Sequence, residues 1–212
     1  MRQSTYEKFE RLAQSRQGYT GTVELLEAGF TNRQIGQFVN EGFLEKVSHG
    51  HYWFLRGGHK KPADYKAVEV GLVNPKAVIC ADSACFYQGL IDIEPETLSV
   101  ATCRTDRARM HMNFPLKRHY LSEKNFDMEQ RQIETEFGTY RIYDIERSVC
   151  ECIRFRNDIQ EDIFEYIVER YNASQERQLG RLMQYARALR VERQATIQGC
   201  LWPYRDRSAF FE

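Results

Sequence analysis

Apolar residues recur at helical spacing through the first forty residues of the chain. This spacing predicts two amphipathic helices, whose apolar positions are Tyr6, Phe9, Leu12 and Ala13, and then Ile35, Phe38 and Val39. The Gln17-Gly18 pair ends the first helix. Thr22 opens a short helix between the two, which Gly29 ends, and Thr31 with Gln34 three residues later forms a capping box that starts the third helix.

Short aromatic and β-branched runs follow the third helix, and they flank a turn that contains glycine. Phe43 to Val47 and His51 to Leu55 surround Ser48-His49-Gly50, a pattern typical of a β-hairpin. Three helices followed by a hairpin predict a winged helix-turn-helix. The polar, breaker-rich segment from Gly57 to Pro62 then predicts a domain boundary.

Beyond this boundary, apolar runs alternate with amphipathic stretches. Strands are predicted at 77–80, 98–103, 117–121, 131–137 and 139–143, and helices at 63–72 and after the caps Asp82, Asp144, Asp158 and Ser174, with a last helix at 192–201. We therefore predict an α+β fold with a winged helix-turn-helix DNA-binding domain at 1–61. The second domain, at 62–212, is a mixed α/β body (62–157) with a helical C-terminal part (158–212).

The composition is that of a chain that can build a core. Of the 212 residues 42% are apolar, and no stretch approaches the roughly 18 apolar residues of a membrane span. The N-terminus lacks the apolar region of a signal peptide. Six Cys without such a signal are typical of reduced thiols, so we expect a cytoplasmic protein that does not associate with membranes.

The formal net charge is zero, which by itself disfavours a nucleic-acid partner. However, the charge is distributed in blocks along the chain. Basic residues exceed acidic ones by three at 1–62, four at 100–120 and three at 166–212, and acidic residues exceed basic ones by four at 63–99 and six at 121–165. Such asymmetry concerns partners and not fold, and ordinary scatter on a solvated surface is the alternative.

The third predicted helix carries the residue types that read base edges. At about 100° per residue, Arg33, Gln37 and Asn40 lie opposite its apolar stripe, and Gly36 beside them allows close approach. Arg suits guanine, and Gln or Asn suits adenine. An ordinary solvated helix face is the alternative, although no acidic residue lies there before Glu41. The candidate DNA contacts are Thr22, Thr31, Asn32, Arg33, Gln34, Gln37 and Asn40, with Lys46, His49 and His51 on the wing for phosphates.

A second basic stretch lies in the predicted body, in a loop between two strands. Its residues are Arg104, Arg107, Arg109, Lys117 and Arg118. This stretch fits a phosphate backbone, an acidic protein or a plain solvated loop.

Metal sites and catalytic motifs find little support in the sequence. The pairs His49/His51 and Cys150/Cys152 lack the four convergent ligands of a structural zinc site, and one of the two cysteines is expected in the core. No phosphate-binding loop, dinucleotide fingerprint, HExxH or GxSxG occurs. Glu134 and Glu136 alternate on a strand without the following Lys of a nuclease site. We expect no catalytic residue, no metal and no cofactor.

Several segments together resemble one known family. They are 18–35 (GYTGTVELLEAGFTNRQI), 42–47 (GFLEKV), 50–53 (GHYW), 82–90 (DSACFYQGL), 95–107, 143–147 (YDIER, followed by Ser148 where Thr is usual) and 182–189 (LMQYARAL). The combination, which spans nearly the whole chain, resembles the AbiEi antitoxins of bacterial abortive-infection systems, which defend against phage.

The resemblance implies a transcriptional autorepressor and antitoxin of a type IV toxin–antitoxin system. Its winged helix would bind inverted repeats in the operon's own promoter, as double-stranded DNA, with 31–40 as the recognition helix and 43–55 as the wing. The C-terminal part would counteract a cognate nucleotidyltransferase toxin. Two other hypotheses remain: a protein-interaction module that binds the toxin directly, with DNA binding incidental, and a metal-dependent nuclease.

Overall fold

The computed structural model describes residues 2–16, 18–56 and 58–200. Ten α-helices lie in this part of the chain: α1 Gln3–Ser15, α2 Thr22–Glu27, α3 Asn32–Asn40, α4 Tyr65–Val73, α5 Ala81–Tyr87, α6 Glu123–Phe126, α7 Ile145–Arg154, α8 Glu161–Ala173, α9 Leu179–Leu189 and α10 Glu192–Ile197. Its eight strands are β1 Tyr19–Gly21, β2 Leu44–Ser48, β3 His51–Phe54, β4 Val78–Ile79, β5 Leu98–Cys103, β6 Leu116–Leu121, β7 Gln130–Thr135 and β8 Gly138–Tyr143. The predicted α+β class is confirmed.

The N-terminal elements form a winged helix-turn-helix. Helices α1, α2 and α3 precede the β2–β3 hairpin, as predicted, and β1 adds a third strand in the order β1-β3-β2. Sequence patterning misses β1 because it has three residues and is defined by its pairing with β3, in which Tyr19 lies opposite Trp53. The aromatic stripes of α1 and α3 meet in the core of this fold, where the rings of Phe9 and Phe38 stack 4.1 Å apart.

Local signals place the helices of this fold as expected. The predicted capping box is present: the Thr31 hydroxyl accepts from the backbone N–H of Gln34, and the backbone N–H of Thr31 donates to the side-chain oxygen of Gln34. Gly29 adopts a φ of 82° after α2, the left-handed conformation that glycine accepts without strain. The α2–α3 turn is therefore fixed by residues within five positions of each other.

The chain divides into two compact units. The first, which we call the winged-helix unit, takes the residues up to Ala77 together with Arg107–Pro115 and Gln132–Tyr140. The second, the body unit, takes Val78–Asp106, Leu116–Arg131 and the residues from Arg141 onward. This division differs from the boundary predicted after residue 61, because α4 and two distant segments pack with the winged helix.

An ion cluster explains why the predicted linker does not separate the domains. The ammonium group of Lys61 lies 2.7 Å from the carboxylate of Glu69 on α4 and 2.7 Å from that of Glu45 on β2. Tyr19 of β1 donates to Glu69 at 3.0 Å. Gly71 brings the same helix against the backbone of Thr139, where a Cβ atom would lie 2.0 Å from the carbonyl oxygen. Residues 58–77 are thus part of the winged-helix unit.

A five-stranded mixed sheet runs in the order β6-β5-β4-β8-β7. Strands β4 and β5 pair antiparallel, whereas β4 with β8 and β5 with β6 pair parallel. Within the body unit, α5, α7, α8, α9 and α10 contribute to one apolar core that also includes strand residues such as Val78 and Ala101. No helix in the described residues is long and apolar enough to cross a bilayer.

Of the predicted caps in the body, Asp144 is confirmed, since it accepts from the backbone of Arg147 at 2.8 Å. Three others are wrong. Asp82 lies inside the first turn of α5, Asp158 ends a 3₁₀ turn and pairs with Lys117, and Ser174 precedes a turn five residues before α9 begins. The predicted last helix is found from Glu192 to Ile197, and Leu201 lies outside the described residues.

Candidate nucleic-acid interface

Helix α3 buries one face and exposes the other. Ile35 and Phe38 are 3% and 0% exposed, whereas Arg33, Gly36 and Asn40 are exposed, as their spacing predicts. The Thr31 and Asn32 side chains at the start of the helix are also exposed. A Cβ atom at Gly36 would have no neighbour within 4 Å, so the backbone here is open to close approach.

Two predicted DNA contacts, Gln34 and Gln37, have partners within the protein. The side-chain oxygen of Gln34 accepts from the backbone N–H of Thr31 at 2.8 Å, which commits this amide to the cap. The Gln37 amide donates to Glu41 at 2.7 Å. Gln34 is therefore a structural residue of the helix start, and Gln37 reaches a base only if it leaves Glu41.

A concave polar surface, which encloses a volume of about 440 Å³, lies beside the exposed face of α3. Its lining residues come from the start of α1 and from α3: Arg2, Thr5, Arg33, Gln34 and Gln37. No salt bridge is formed by either arginine with another described residue. Two cations in one concave surface attract an anion such as a phosphate.

The wing is short, with a two-residue turn at His49 and Gly50. Lys46 and His49 are exposed. His51 is partly buried, and burial lowers its pKa, so its ring is neutral at physiological pH. The backbone N–H of Thr22 donates to the carbonyl of Gly50 at 2.9 Å, which ties α2 to this turn. Lys46 and His49 therefore remain candidate phosphate contacts, whereas Thr22 and His51 are partly buried at the base of the wing.

The basic stretch predicted as one patch falls into two groups. Arg118 is 14% exposed and pairs with Asp106 at 3.1 Å, and Lys117 pairs with Asp158 at 2.9 Å. These two residues and the exposed Arg104 belong to the body unit. Arg107 and Arg109 are exposed and belong to the winged-helix unit. Nearness in sequence predicted one surface, but the division of the chain separates its members.

Cysteine and carboxylate side chains give no metal centre within the described residues, where no group of three or more His, Cys, Asp or Glu is placed to hold an ion. One of Cys150 and Cys152 was expected in the core, and the structure buries both. Cys152 lies 4.0 Å from Cys85 across the α5–α7 contact, sulfur to sulfur. Burial raises the pKa of Cys150 and Cys152, which keeps both as neutral thiols.

The YDIER segment supports the core of the body unit. Arg147 is fully buried and donates to Glu151 at 3.0 Å and to the carbonyl of Asn125 at 2.7 Å. Asp144 also accepts from Arg181 at 2.7 Å and from Tyr185 at 2.8 Å. These contacts join α7 to α9, so the segment's polar residues act in packing.

Sequence reasoning missed Arg2 and Thr5. Both precede or begin α1, and they lie beside α3 because the three helices pack around Phe9 and Phe38. The sequence offers an arginine before a helix as the single signal, which is too common to indicate a site.

No protein-family model and no curated protein matches this chain. Among solved structures, it is similar to the RV2827C protein from Mycobacterium tuberculosis, with a TM-score of 0.64 and 13% identity. The alignment covers 84% of this chain and 69% of that one. At this level of identity, the likeness shows a shared α+β fold.

Proposed function

We propose that this protein is a DNA-binding autorepressor and antitoxin of the AbiEi type, and that its winged helix binds inverted repeats in its own promoter. The observation that supports the proposed DNA binding is the exposed face of α3. In a winged helix-turn-helix this helix enters the major groove. Here it offers Asn32, Arg33 and Asn40, and no hydrogen bond from these side chains to the rest of the described chain competes with a base.

The concave surface is a second observation that supports the proposed DNA binding. Arg2 and Thr5 lie where the first helix would approach the backbone that flanks the groove. Phosphate contacts set the register of a reader helix, and base contacts supply its specificity. Arg33 borders this surface and also lies on the reader face, so it is the residue with the largest expected effect.

The test is binding of purified variants to the DNA upstream of the reading frame. Arg33→Ala or Asn40→Ala should cost about 1–3 kcal/mol of specific binding, which corresponds to roughly 5- to 150-fold in Kd. The loss should be smaller on a random duplex of equal length. Arg193→Ala, which removes an exposed arginine of α10, serves as the matched control and should bind like the parent protein. Unchanged affinity of both α3 variants would refute base reading by this helix.

The proposed antitoxin role rests on the sequence resemblance. Co-expression with a nucleotidyltransferase encoded by the neighbouring gene should restore growth that the enzyme alone arrests. Failure to restore growth, with both proteins soluble and present, would refute the antitoxin role while leaving DNA binding intact.

A protein-interaction module is the second candidate, and one feature favours it. Val23 and Leu26 are 67% and 42% exposed on α2, one helical turn apart, which is unusual for a solvated helix face. Co-purification with the toxin that Val23→Ser/Leu26→Ser abolishes, in a protein that shifts no DNA, would favour this candidate over the repressor.

A further inference from the structure

Residues 107–115 connect the parallel strands β5 and β6, yet they pack with the winged helix. We call this segment the strap. It contains two arginines, one histidine and no acidic residue. Connections between neighbouring parallel strands usually contain a helix, whereas the described strap has neither helix nor strand. Its conformation therefore depends on what it contacts.

Two hydrogen bonds hold the strap beside the free edge of β2. The Ser48 hydroxyl donates to the carbonyl of His111 at 2.9 Å, and the Asn113 amide donates to the carbonyl of Lys46. As β2 advances from Lys46 to Ser48, the contacting strap residue falls from 113 to 111. The strap thus runs antiparallel to β2, and Met110, the residue before His111, contacts Asn74 at the end of α4, with the Asn74 amide nitrogen 3.7 Å from the Met110 sulfur.

Side chains of the strap alternate between two sides. Ala108, Met110, Met112 and Phe114 are partly buried, and Phe114 packs edge-on against Tyr65 of α4 with ring centroids 6.2 Å apart. The alternate residues Arg107, Arg109, His111 and Asn113 are exposed. Alternation of this kind is typical of extended chain, in which every second residue lies about 6.6 Å from the next on the same side.

We propose that the strap is a second DNA-backbone contact of the winged-helix unit, in which Arg107 and Arg109 bind successive phosphates next to the wing. The inference rests on the proposed DNA binding. The exposed row includes Asn113, which contacts Lys46, and His111, which contacts Ser48, so it adjoins the strand that carries the candidate phosphate contact Lys46. Both arginines are exposed and form no salt bridge within the described chain. In contrast, Lys117 and Arg118 of the same sequence stretch are neutralised by Asp158 and Asp106.

The experiment compares the salt dependence of DNA binding by three full-length proteins. Arg107→Gln/Arg109→Gln should weaken binding to upstream DNA and to a random duplex by the same factor, roughly ten-fold. The slope of log K against log salt should become shallower by about 1.8, since each lost phosphate contact accounts for about 0.9. The control Lys117→Gln removes a charge of the same basic stretch from the body unit and should leave the slope unchanged.

A third variant tests whether Arg107 and Arg109 must be held in position as well as be present. Asn113→Ala removes one hydrogen bond that holds the strap to β2 but keeps both arginines. If this hydrogen bond positions the arginines, the variant should bind both duplexes more weakly and with a shallower slope, though less so than the double arginine variant, and the parent's affinity and slope would contradict positioning by Asn113. Thermal unfolding of each variant checks that the fold is retained.

The outcomes distinguish the strap from the winged helix itself. If Arg107→Gln/Arg109→Gln binds with the parent's affinity and slope while Arg33→Ala loses specific binding, the strap proposal is wrong and the repressor proposal stands. If the parent protein binds neither duplex, the repressor proposal fails. Normal DNA binding with loss of toxin neutralisation by the same double variant would assign the strap to a protein partner and overturn our proposal.

Discussion

At the scale of single residues, Glu41 opposes the function that the rest of α3 supports. Its carboxylate accepts hydrogen bonds from Gln37 and from the hydroxyl of Tyr6, each at 2.7 Å. These two hydrogen bonds lower the pKa of Glu41, so it is ionised at neutral pH. A phosphate that approaches this end of α3 meets a negative charge, and Gln37 is held away from a base.

Glu41→Ala should therefore tighten binding to the upstream DNA. Removal of one exposed charge is worth up to about 1 kcal/mol, or about five-fold in Kd. Glu27→Ala, at the exposed end of α2, makes the same change in net charge and should have a smaller effect. Fluorescence anisotropy at fixed salt measures both. Weaker binding by Glu41→Ala would mean that Glu41 positions Gln37 for its contact and does not restrain it.

At the scale of secondary-structure elements, the capping box fixes where the reader helix begins. Thr31→Ala should lower the free energy of unfolding of the winged-helix unit by about 1 kcal/mol, because the backbone N–H of Gln34 loses the Thr31 hydroxyl as its acceptor. Asn32→Ala changes the next residue, which caps nothing, and should alter stability by less than about 0.5 kcal/mol. Urea unfolding followed by tryptophan fluorescence, with Trp202→Phe in the background so that Trp53 alone reports, measures both. Equal stabilities of the two variants would contradict a role for the cap.

The same scale shows what the sequence determines. The helix start at Thr31, the end at Gly29 and the cap at Asp144 depend on residues within a few positions, and all three were predictable. Asp158 and Ser174 have the residue types of caps, but their side chains bind Lys117 and a neighbouring backbone N–H. Such alternative partners are set by packing.

The candidate site follows the same rule. The exposed face of α3 follows from helical periodicity, so Arg33 and Asn40 were predictable. Arg2 reaches the site through the packing of three helices, and the strap through a connection between β5 and β6. In both cases the sequence separation is too long for any periodicity to reveal the contact.

At the scale of the whole molecule, the net charge of zero divides between the two units. Folding adds Arg107 and Arg109 to the winged-helix unit together with Glu134 and Glu136, so that unit keeps a balance of +3 and the body unit has −3. A body unit with excess acidic charge adds little attraction to DNA. Binding should therefore rely on a small set of cations in the winged-helix unit: Arg2, Arg33, Lys46, Arg107 and Arg109.

Five such contacts limit the salt response. The slope of log K against log salt should be no steeper than about −4.5 per protomer, and a duplex with one half-site should bind much more weakly than one with an inverted repeat. Titrations at several salt concentrations, with stoichiometry determined on each duplex, measure both quantities. A slope near zero would rule out a DNA reader, and a much steeper slope would place basic residues of the body unit on the DNA as well. Because each protomer has few contacts, two protomers must bind together to occupy an operator. Loss of one half-site should therefore remove more than half of the total binding free energy.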